Sequence, residues 1–476
     1  EQTSSVTYPN ILILDYLRQT RQITPDIEMK TEEYISIGYQ RLLSFEVKGG
    51  GFSWFGDAPA NKILTAYGIM EFKDMSRVYE VDERVIERTK SWLLSQQEKD
   101  GSWKPDSHYL HEESWGRIQH NELLPTAYIA YALQSAGIKD PAIDRAIDYL
   151  KRNIKMVDDP YILGLCANAL VLYNRDDPVT HQVFKRLIEI KQEDNGAVFW
   201  SSKIPTFTDA RGKSADIEAT ALIAYALINY KRYSDITTKV LTYIIRAKDP
   251  NGAWFSTQGT ILSLKALLAA LGGLKEESSC NVIVKLNGEK IETIRITPED
   301  FDVVRLVDLK GKINNTKNTI ELLVEGEGGL LYEIVTRYYI PWKLVEPPAR
   351  PLLSIDLQFD KTLMSKNDLV KCNVRVTNNK PGEAQMVIVD LGIPPGFEVI
   401  TTDLDEIVGK VIQKYSLTPR QIIVYFDKIS SAKPVSFAYH LKAKFPLKAK
   451  TFTSRVYEYY NPDTGDLVEP VEMVVK

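Results

Sequence analysis

Three histidines lie close together in the chain, beside two acidic residues. His111 is followed directly by Glu112 and Glu113, and it lies between His108 and His120 in the sequence. A neutral imidazole is nucleophilic near neutral pH, and a neighbouring carboxylate can orient it or stabilise its charged form. A histidine in this stretch is therefore a candidate nucleophile, with a neighbouring glutamate such as Glu113 as its partner. The alternative is an ordinary histidine of a surface loop.

The sequence does not predict a metal site or a bound cofactor. His108 and His111 lack the i, i+4 spacing that would place two ligands on one face of a helix. The cysteines are scattered and fit no metal-ligand spacing: they are Cys166, Cys280 and Cys372. They also provide no disulfide framework, so hydrophobic cores must hold the protein together.

Length and charge narrow the class of protein. A chain of 476 residues is too long for one ordinary domain, and a soft prior gives about three. The formal net charge of -4 argues against a nucleic-acid-binding protein, which needs a basic face. No apolar run reaches the length of a membrane span. No signal peptide opens the chain, which is also what a mature or excised part of an exported protein would show.

A repeated block fills the first half of the chain and contains the histidine stretch. Each copy has a helix end, a polar stretch, a turn with glycine, a tryptophan and then a helix that opens near a threonine. The turns lie at Gly51, Gly101, Gly196 and Gly252, and the first two are 50 positions apart. The tryptophans are Trp54, Trp103, Trp200 and Trp254. Repeats of this length are typical of arrays of helical hairpins.

These units predict an α/α toroid. Ala127, Tyr128 and Tyr131 recur at helical spacing, which indicates a helix with a buried stripe. Glycine after a helix end permits a left-handed cap, and the tryptophan can fold over the helix pair and bury apolar area. We expect about six hairpins over residues 1–275, closed into a double ring. Residues 161–170 provide a helix in the gap between Gly101 and Gly196.

The helical period stops near residue 275, and strand patterns follow. Residues 280–294 predict a hairpin with an Asn287-Gly288 turn. Further strands are predicted at 318–324 and 330–340.

The proline-rich stretch 346–351 is typical of a stiff linker, and the alternating strands beyond it predict a β-sandwich. The region before it is small for a self-sufficient sheet, so we expect it to pair with strands outside this chain. The predicted domains are residues 1–275, 276–345 and 346–476.

Taken together, these features resemble the C-terminal part of the alpha-2-macroglobulin and complement family of thioester-containing proteins. Glu1-Gln2 resembles the end of that family's Cys-x-Glu-Gln motif. Residues 218–227 and 256–258 are similar to recurrent pieces of its thioester domain, and residues 457–462 resemble the closing motif of its receptor-binding domain. The order of toroid, split CUB-like β-domain and terminal macroglobulin-type sandwich is also the family's order.

The resemblance implies acyl transfer from a thioester. In the family the side-chain carbonyl of the motif glutamine is joined to the cysteine sulfur, so Gln2 would be the acyl carrier and Glu1 part of the motif. Gln2 is expected to open a helix, with Thr3, Ser4 and Ser5 as cap candidates and backbone N–H groups that favour a developing oxyanion. The complement branch places a histidine at the position of His111. There it attacks the thioester, and the released thiolate then assists attack by a hydroxyl.

Two more features come with the resemblance. The tyrosines of the closing motif would shield the thioester from water, although strand aromatics usually pack in a core: they are Tyr457, Tyr459 and Tyr460. The thioester cysteine should lie two residues before Glu1, and no cysteine of this sequence is followed by Glu-Gln. The chain is therefore expected to be part of a longer protein that carries the cysteine upstream.

Two other classes of protein stay open. Residues 90–103 also resemble the glutamine–tryptophan repeat of triterpene cyclases, which are α/α toroids, but residues 1–275 contain no Asp-rich acid motif. The zinc ligands of a prenyltransferase are missing as well. The other alternative is a non-covalent interaction scaffold, which an upstream Cys-x before Glu1 would argue against.

The favoured interpretation is covalent capture of proteases or surfaces, as in protease inhibition, opsonisation and defence. The acyl group is consumed once, so the protein is not expected to be an enzyme. Its partners would be upstream macroglobulin domains of the same protein and targets that carry hydroxyl or amine groups. An extracellular or periplasmic location is expected.

Overall fold

The structure is a computed structural model that divides into two compact units. It describes residues 2–19, 23–106, 123–249, 253–273, 279–298, 303, 305–314, 316–327, 332, 334–336, 340–344, 351–431, 433–459 and 461–476. One unit contains residues 1–209 and 215–334, and the other contains residues 335–476 with the short segment 210–214.

The first unit is the predicted α/α toroid. Inner and outer helices alternate along the chain, and the inner ones are buried on nearly every side, as in the run Leu123–Leu133. The outer ones bury a single stripe, such as Ile143, Ala146 and Leu150. The inner helices are α1 (Gln2–Gln19), α3 (Lys62–Met75), α5 (Leu123–Ser135), α7 (Pro160–Tyr173), α9 (Gly212–Tyr230) and α11 (Thr257–Gly273). The outer helices are α2 (Pro25–Leu43), α4 (Glu83–Ser95), α6 (Pro141–Asn153), α8 (Pro178–Glu189) and α10 (Ser234–Arg246).

The ring is closed between its first and last inner helices. Lys265 of α11 places its Nζ 3.1 Å from the hydroxyl of Tyr8 in α1 and 3.1 Å from Oδ2 of Asp74 in α3. The Tyr8 hydroxyl donates to the same carboxylate over 2.6 Å. These contacts join elements from opposite ends of the repeat array, and the predicted closure is confirmed.

Three helices begin with the same Asp-Pro pair. The proline suits the first helical position because its missing N–H would have no partner there. The preceding carboxylate accepts from the backbone N–H two residues later, over 2.9 Å at Asp140, 2.9 Å at Asp159 and 2.8 Å at Asp177. Local sequence therefore fixes where α6, α7 and α8 start.

An aromatic clamp ties three of the outer helices, α4, α8 and α10, to the inner helix that follows each. The indole N–H of Trp103 caps the carbonyl of Leu93 at the end of α4 over 2.8 Å, and its backbone N–H donates to the hydroxyl of Thr126 in α5 over 2.9 Å. Trp200 and Trp254 repeat both bonds with the helices around them. The predicted folding of the tryptophan over the helix pair is confirmed for these three copies.

The first copy uses a different aromatic residue from the predicted Trp54. Phe52 is buried, and its backbone N–H donates to the hydroxyl of Thr65 over 2.9 Å, whereas Trp54 is only half-buried. Phe52 directly follows the tight Gly50-Gly51 turn. Position after the turn, rather than residue type, therefore determines which aromatic residue is buried in this copy of the repeat.

The first unit also holds two small sheets. The hairpin of β1 (Gln192–Asp194) and β2 (Ala197–Phe199) lies between α8 and α9. A three-stranded antiparallel sheet follows the toroid in the order β4-β3-β5, with β3 at Ser279–Leu286, β4 at Glu289–Ile296 and β5 at Ile320–Glu327. Asn287 and Gly288 both have positive φ in the predicted β3–β4 turn. The strand predicted at 330–340 is absent among its described residues, which are 332, 334–336 and 340.

The second unit is a β-sandwich with its own core. Its sheets have the orders β10-β13-β8-β6, β11-β12-β9-β15-β16 and β14-β17-β7. Val374, Val389 and Val424 are among the buried side chains between the two larger sheets. The strands are β6 (Leu353–Phe359), β7 (Leu363–Met364), β8 (Leu369–Asn378), β9 (Glu383–Gly392), β10 (Phe397–Val399), β11 (Lys414–Leu417), β12 (Gln421–Ser430), β13 (Val435–Ala443), β14 (Leu447–Lys450), β15 (Ser454–Glu458), β16 (Asn461–Val468) and β17 (Glu472–Val475), with a short helix α12 (Thr401–Asp405).

Across both units, none of the helices that the structure describes combines the length and apolarity required to cross a membrane.

Candidate functional site

The inner helices α1 and α3 start at the same end of the toroid. The contacts between them advance together along both helices. Tyr8 reaches Asp74, and Asp15 pairs with Arg77 over 3.5 Å. The Ser4 hydroxyl lies beside the Glu71 carboxyl, and this pair precedes the other two along both helices. The helices are therefore parallel, and the first turn of α1 lies toward the end at which α3 begins.

Gln2, the predicted acyl carrier, is exposed in the first turn of α1. The helix contains Thr3, Ser4 and Ser5, which the sequence indicated as cap candidates. Ser4 instead points inward and is buried. Glu1 lies outside the described residues.

His111 and Glu113, with His108 and His120, fall in segment 107–122, outside the residues that the structure describes. Both flanks of this segment are described. Asp106 accepts from the backbone N–H of Lys62 and from its Nζ, each over 2.8 Å, and α5 begins at Leu123. The segment therefore leaves and rejoins the described fold where inner helices begin, the end toward which Gln2 lies.

Two of the three predicted shielding tyrosines are described, in the second unit. Tyr457 is half-buried in β15 beside Ile388 of β9, and Arg455 Cζ lies 4.9 Å from its ring centroid. Burial raises the pKa of its hydroxyl. Tyr459 is 38% exposed. These rings lie outside the sandwich core, where strand aromatics usually pack, and Tyr460 is not among the described residues.

Glu71 is a buried acid that the sequence analysis did not single out. Its relative exposure is 0%. Burial raises the pKa of the carboxyl to about 7, while the neighbouring Ser4 hydroxyl acts in the opposite direction. Neither carboxyl oxygen makes a hydrogen bond of ordinary geometry with any residue in the described part of the chain. The site therefore favours the neutral acid.

Asp74 and Lys265 form a second buried pair, with opposite behaviour. Burial opposes ionisation of Asp74, but the Lys265 ammonium, the Tyr8 hydroxyl and Arg77 together hold the pKa of its carboxyl below the ordinary value. The pKa of Lys265 is raised, since the attraction of Asp74 outweighs the cost of burial. This pair stays charged inside the ring.

The two sequence pieces that resembled the thioester domain meet in space. The Ser256 hydroxyl donates to Oε1 of Glu218 over 2.7 Å, and the Thr208 hydroxyl donates to the same oxygen over 3.4 Å. Both Glu218 and Ser256 are buried. The contact ties the start of α11 to α9 at the end of the toroid where the inner helices begin.

A weak sequence signal marked some of these buried groups. Lys265 is the one charged residue within the apolar run 261–271, and such a residue has to find a partner when its helix is buried. The partner could not be found in the same way, because Asp74 lies in a stretch with other charges. In the described ranges, no three His, Cys, Asp or Glu side chains form a group suited to a metal ion.

Family profiles and known proteins match this sequence. A family profile described as the A-macroglobulin TED domain matches residues 1–269, and one described as the A-macroglobulin receptor binding domain matches residues 382–469. Ovostatin of Gallus gallus is 26% identical over 98% of the chain and 32% of its own length. Complement C3 of Lethenteron camtschaticum is 24% identical over 97% of the chain and 30% of its own length. The chain thus spans about a third of these relatives.

Solved structures share the fold. The segment of Escherichia coli alpha-2-macroglobulin from domain MG7 to the C-terminus has a TM-score of 0.61 at 16% identity, covering 100% of this chain and 73% of that one. Salmonella alpha-2-macroglobulin reacted with methylamine has a TM-score of 0.58 at 17% identity, covering 100% of this chain and 30% of that one. The first profile match alone covers more than half of the sequence. This chain belongs to the alpha-2-macroglobulin and complement family of thioester-domain proteins.

Proposed function

We propose that this chain is the thioester-domain-to-C-terminus part of a longer protein that captures its targets covalently. The thioester would join the side-chain carbonyl of Gln2 to a cysteine two residues before Glu1. The observation that carries the proposal is the match of residues 1–269 to the thioester-domain profile of the family. Salmonella alpha-2-macroglobulin, which shares the fold, has been solved after reaction with methylamine, and this lends further support.

The position of the flanks of segment 107–122 supports a role for His111. Gln2 is exposed in the first turn of α1, and Asp106 and Leu123 both lie where inner helices begin. The proposed attack requires His111 to approach Gln2 at that end of the toroid. Imidazole attack needs such proximity, because reacting atoms must approach to near contact.

The reaction balances as two acyl transfers. A nitrogen of His111 attacks the carbonyl of Gln2, the bond to sulfur breaks, and the cysteine leaves as a thiolate. The thiolate then takes the proton of a target hydroxyl while the oxygen attacks the acyl-imidazole, which releases the imidazole and leaves an ester. Glu113 would orient or stabilise the imidazole as it becomes charged. The acyl group is used once, so the protein would inhibit or label a target rather than turn over a substrate.

Mass spectrometry of the full-length protein tests the thioester. Formation of the bond from a cysteine thiol and the Gln2 carboxamide releases one ammonia, so the intact protein should be lighter by that mass. Methylamine should add to Gln2 and release one free thiol. A full-length protein with the mass of the unmodified sequence and no methylamine reaction would leave the non-covalent scaffold as the function.

A His111→Ala variant of the same full-length protein tests the nucleophile. The wild-type protein is expected to favour ester over amide adducts with a target that offers both groups, and the variant should lose this preference. His108→Ala is the matched control, since it removes an imidazole from the same segment. An unchanged ester-to-amide ratio in His111→Ala would exclude the role.

The second unit and the small sheet would connect the thioester to the rest of that protein. Leu323 and Val324 of β5 are 43% and 48% exposed. Adjacent strand residues point to opposite faces, so both faces of β5 are partly uncovered. β5 also ends the described strand order β4-β3-β5, and this edge supports pairing with upstream strands. Tyr457, Tyr459 and Tyr460 would shield the thioester before activation. Target proteases or surfaces would then meet the protein outside the cell or in the periplasm.

A further inference from the structure

The interior of the toroid contains more buried acid than its buried ammonium neutralises. Its polar and titratable side chains include Ser4 and Tyr8 of α1, Tyr67, Glu71 and Asp74 of α3, Tyr128 and Tyr131 of α5, Tyr161 of α7, Glu218 of α9 and Lys265 of α11. The Lys265 ammonium is held by Asp74 and Tyr8. Glu218 is held by the hydroxyls of Ser256 and Thr208. Glu71 makes no comparable contact within the described residues.

The environment of Glu71 therefore favours the neutral acid over the carboxylate. An isolated carboxylate loses far more free energy on burial than a neutral carboxyl does, and Glu71 is 0% exposed. Ionisation would place a negative charge near Asp74, which already carries one. The charged state requires water to enter beside it, since no cation in the described interior is placed to pair with it.

The side chain that lies against Glu71 belongs to the turn that carries the acyl group. Ser4 follows Gln2 by two residues in the first turn of α1. Successive helical residues are about 100° apart, so Ser4 points roughly opposite to Gln2. Ser4 is 3% exposed, whereas Gln2 is exposed. Glu71 thus contacts the inner side of the helical turn whose outer side carries Gln2.

We propose that Glu71 is a positioning residue for the acyl carrier. As the neutral acid it packs beneath Ser4 and holds the first turn of α1. When its proton passes to solvent, water enters under that turn and the turn loosens, which makes the carbonyl of Gln2 more accessible to nucleophiles. The consequence for reactivity rests on the proposed function, whereas the loosening of α1 is a property of this chain alone.

Burial raises the pKa of Glu71 to about 7, so the change falls in the neutral range. Hydrogen exchange of this chain tests the physical part. Between about pH 6 and pH 8, protection of amides 6–8, which donate to the carbonyls of the first turn, should fall about tenfold after correction for intrinsic exchange, because the ionised fraction rises from about a tenth to about nine tenths. Amides in the middle of α5 and α7 should keep their protection.

Two variants complete this test. Glu71→Gln keeps the shape and cannot ionise, so the protection of amides 6–8 should be the same at both pH values. Glu87→Gln, which removes an exposed carboxylate from α4, should behave like the wild type. Protection in the wild type that does not change with pH would overturn the proposal, and this outcome needs no variant to fold.

The full-length protein tests the chemical part. The rate of methylamine incorporation in the wild type, divided by the rate in Glu71→Gln, should rise severalfold from about pH 6 to pH 8, because the dependence of methylamine and His111 on pH cancels in the ratio. A ratio that stays flat while both proteins react would overturn the role of Glu71. Absence of any reaction in both proteins would instead contradict the proposed function.

Discussion

Single buried charges decide much of the behaviour of the toroid at the residue scale. Glu71 and Asp74 lie one turn apart on α3 and have opposite preferences. Asp74 contacts the Lys265 ammonium and the Tyr8 hydroxyl and stays ionised. Glu71 has neither contact, and its neutral form is favoured. Burial alone therefore does not fix the charge of a carboxyl, because its partners decide it.

The first prediction concerns Glu71 and pH. Its pKa is raised from 4.5 to about 7, so the unfolded chain releases this proton first as pH rises. Stability must then fall between these pH values, by about 3 kcal/mol in total at about 1.4 kcal/mol per unit. Glu71→Gln should remove this fall, so that the variant gains about 3 kcal/mol relative to the wild type between about pH 4.5 and pH 8.

Urea unfolding of both proteins across that pH range measures the difference. The buried amide of the variant can shift its free energy of unfolding by a constant amount. The prediction therefore concerns only how the difference between the two proteins changes with pH. A stability difference that is the same at both ends of the range would contradict it.

The second prediction concerns the ion pair that closes the ring. Lys265→Met removes the buried ammonium and leaves Asp74 with the Arg77 guanidinium, 3.4 Å away, as its cation, which should cost up to about 3–5 kcal/mol at neutral pH. The cost should shrink as pH falls and Asp74 can take up a proton. Lys265→Met with Asp74→Leu should recover much of the loss, because neither charge is then buried alone.

Denaturant unfolding of the two single variants and the double variant gives the coupling between these side chains. Losses that simply add in the double variant would show that the pair is not a unit.

At the scale of the elements, the aromatic clamp couples a turn to the helices on either side of it. It joins the last carbonyls of an outer helix to a threonine in the next inner helix, as Trp103 does between Leu93 and Thr126. Gly101 in the same turn has φ 96°, and an added Cβ would lie 2.3 Å from the carbonyl oxygen of Arg145 in α6. Turn, clamp and neighbouring helix therefore constrain one another.

The third prediction tests this clamp. Thr126→Val keeps the shape of the side chain and removes the hydroxyl, so the buried N–H of Trp103 loses its acceptor. We expect a loss of about 1–3 kcal/mol. Thr126→Ser, which keeps the hydroxyl, is the control and should lose less. Equal stability of the two variants in thermal or urea unfolding would show that the hydroxyl does not contribute.

The repeat pattern predicted the helical hairpins because turn, aromatic residue and threonine recur close together in the sequence. The Asn287-Gly288 hairpin was predicted for the same reason. The buried charges were not predictable in this way, since Tyr8, Asp74 and Lys265 meet only after the ring closes. Position within the turn, rather than residue type, placed Phe52 where Trp54 was expected. The predicted roles of Gln2, His111 and Glu113 came from family resemblance and stay predictions.

At the scale of the whole molecule, the two units have separate hydrophobic cores. The sandwich core includes Val374, Val389 and Val424 and draws its described members from residues 353–456. A core of this kind is the requirement for independent folding. The predicted domain boundaries near residues 275 and 345 stay predictions.

The fourth prediction is that residues 351–476 fold by themselves. The isolated fragment should give a β-type circular dichroism spectrum and a single cooperative unfolding transition. Val389→Ala, which creates a cavity in the sandwich core, should lower its stability by about 1–3 kcal/mol, whereas Leu369→Ala at a position 48% exposed should have little effect. A fragment that unfolds without cooperativity would show that the sandwich depends on the rest of the chain.

The contact of Lys265 with Tyr8 spans 257 residues of sequence, which has a consequence for biosynthesis. During translation, α1 and α3 leave the ribosome long before α11 is made. Before α11 is made, Asp74 has no ammonium partner. The helices already made then form an open arc whose inner polar groups lack partners. The ring can therefore close only after Lys265 and the rest of α11 have been made.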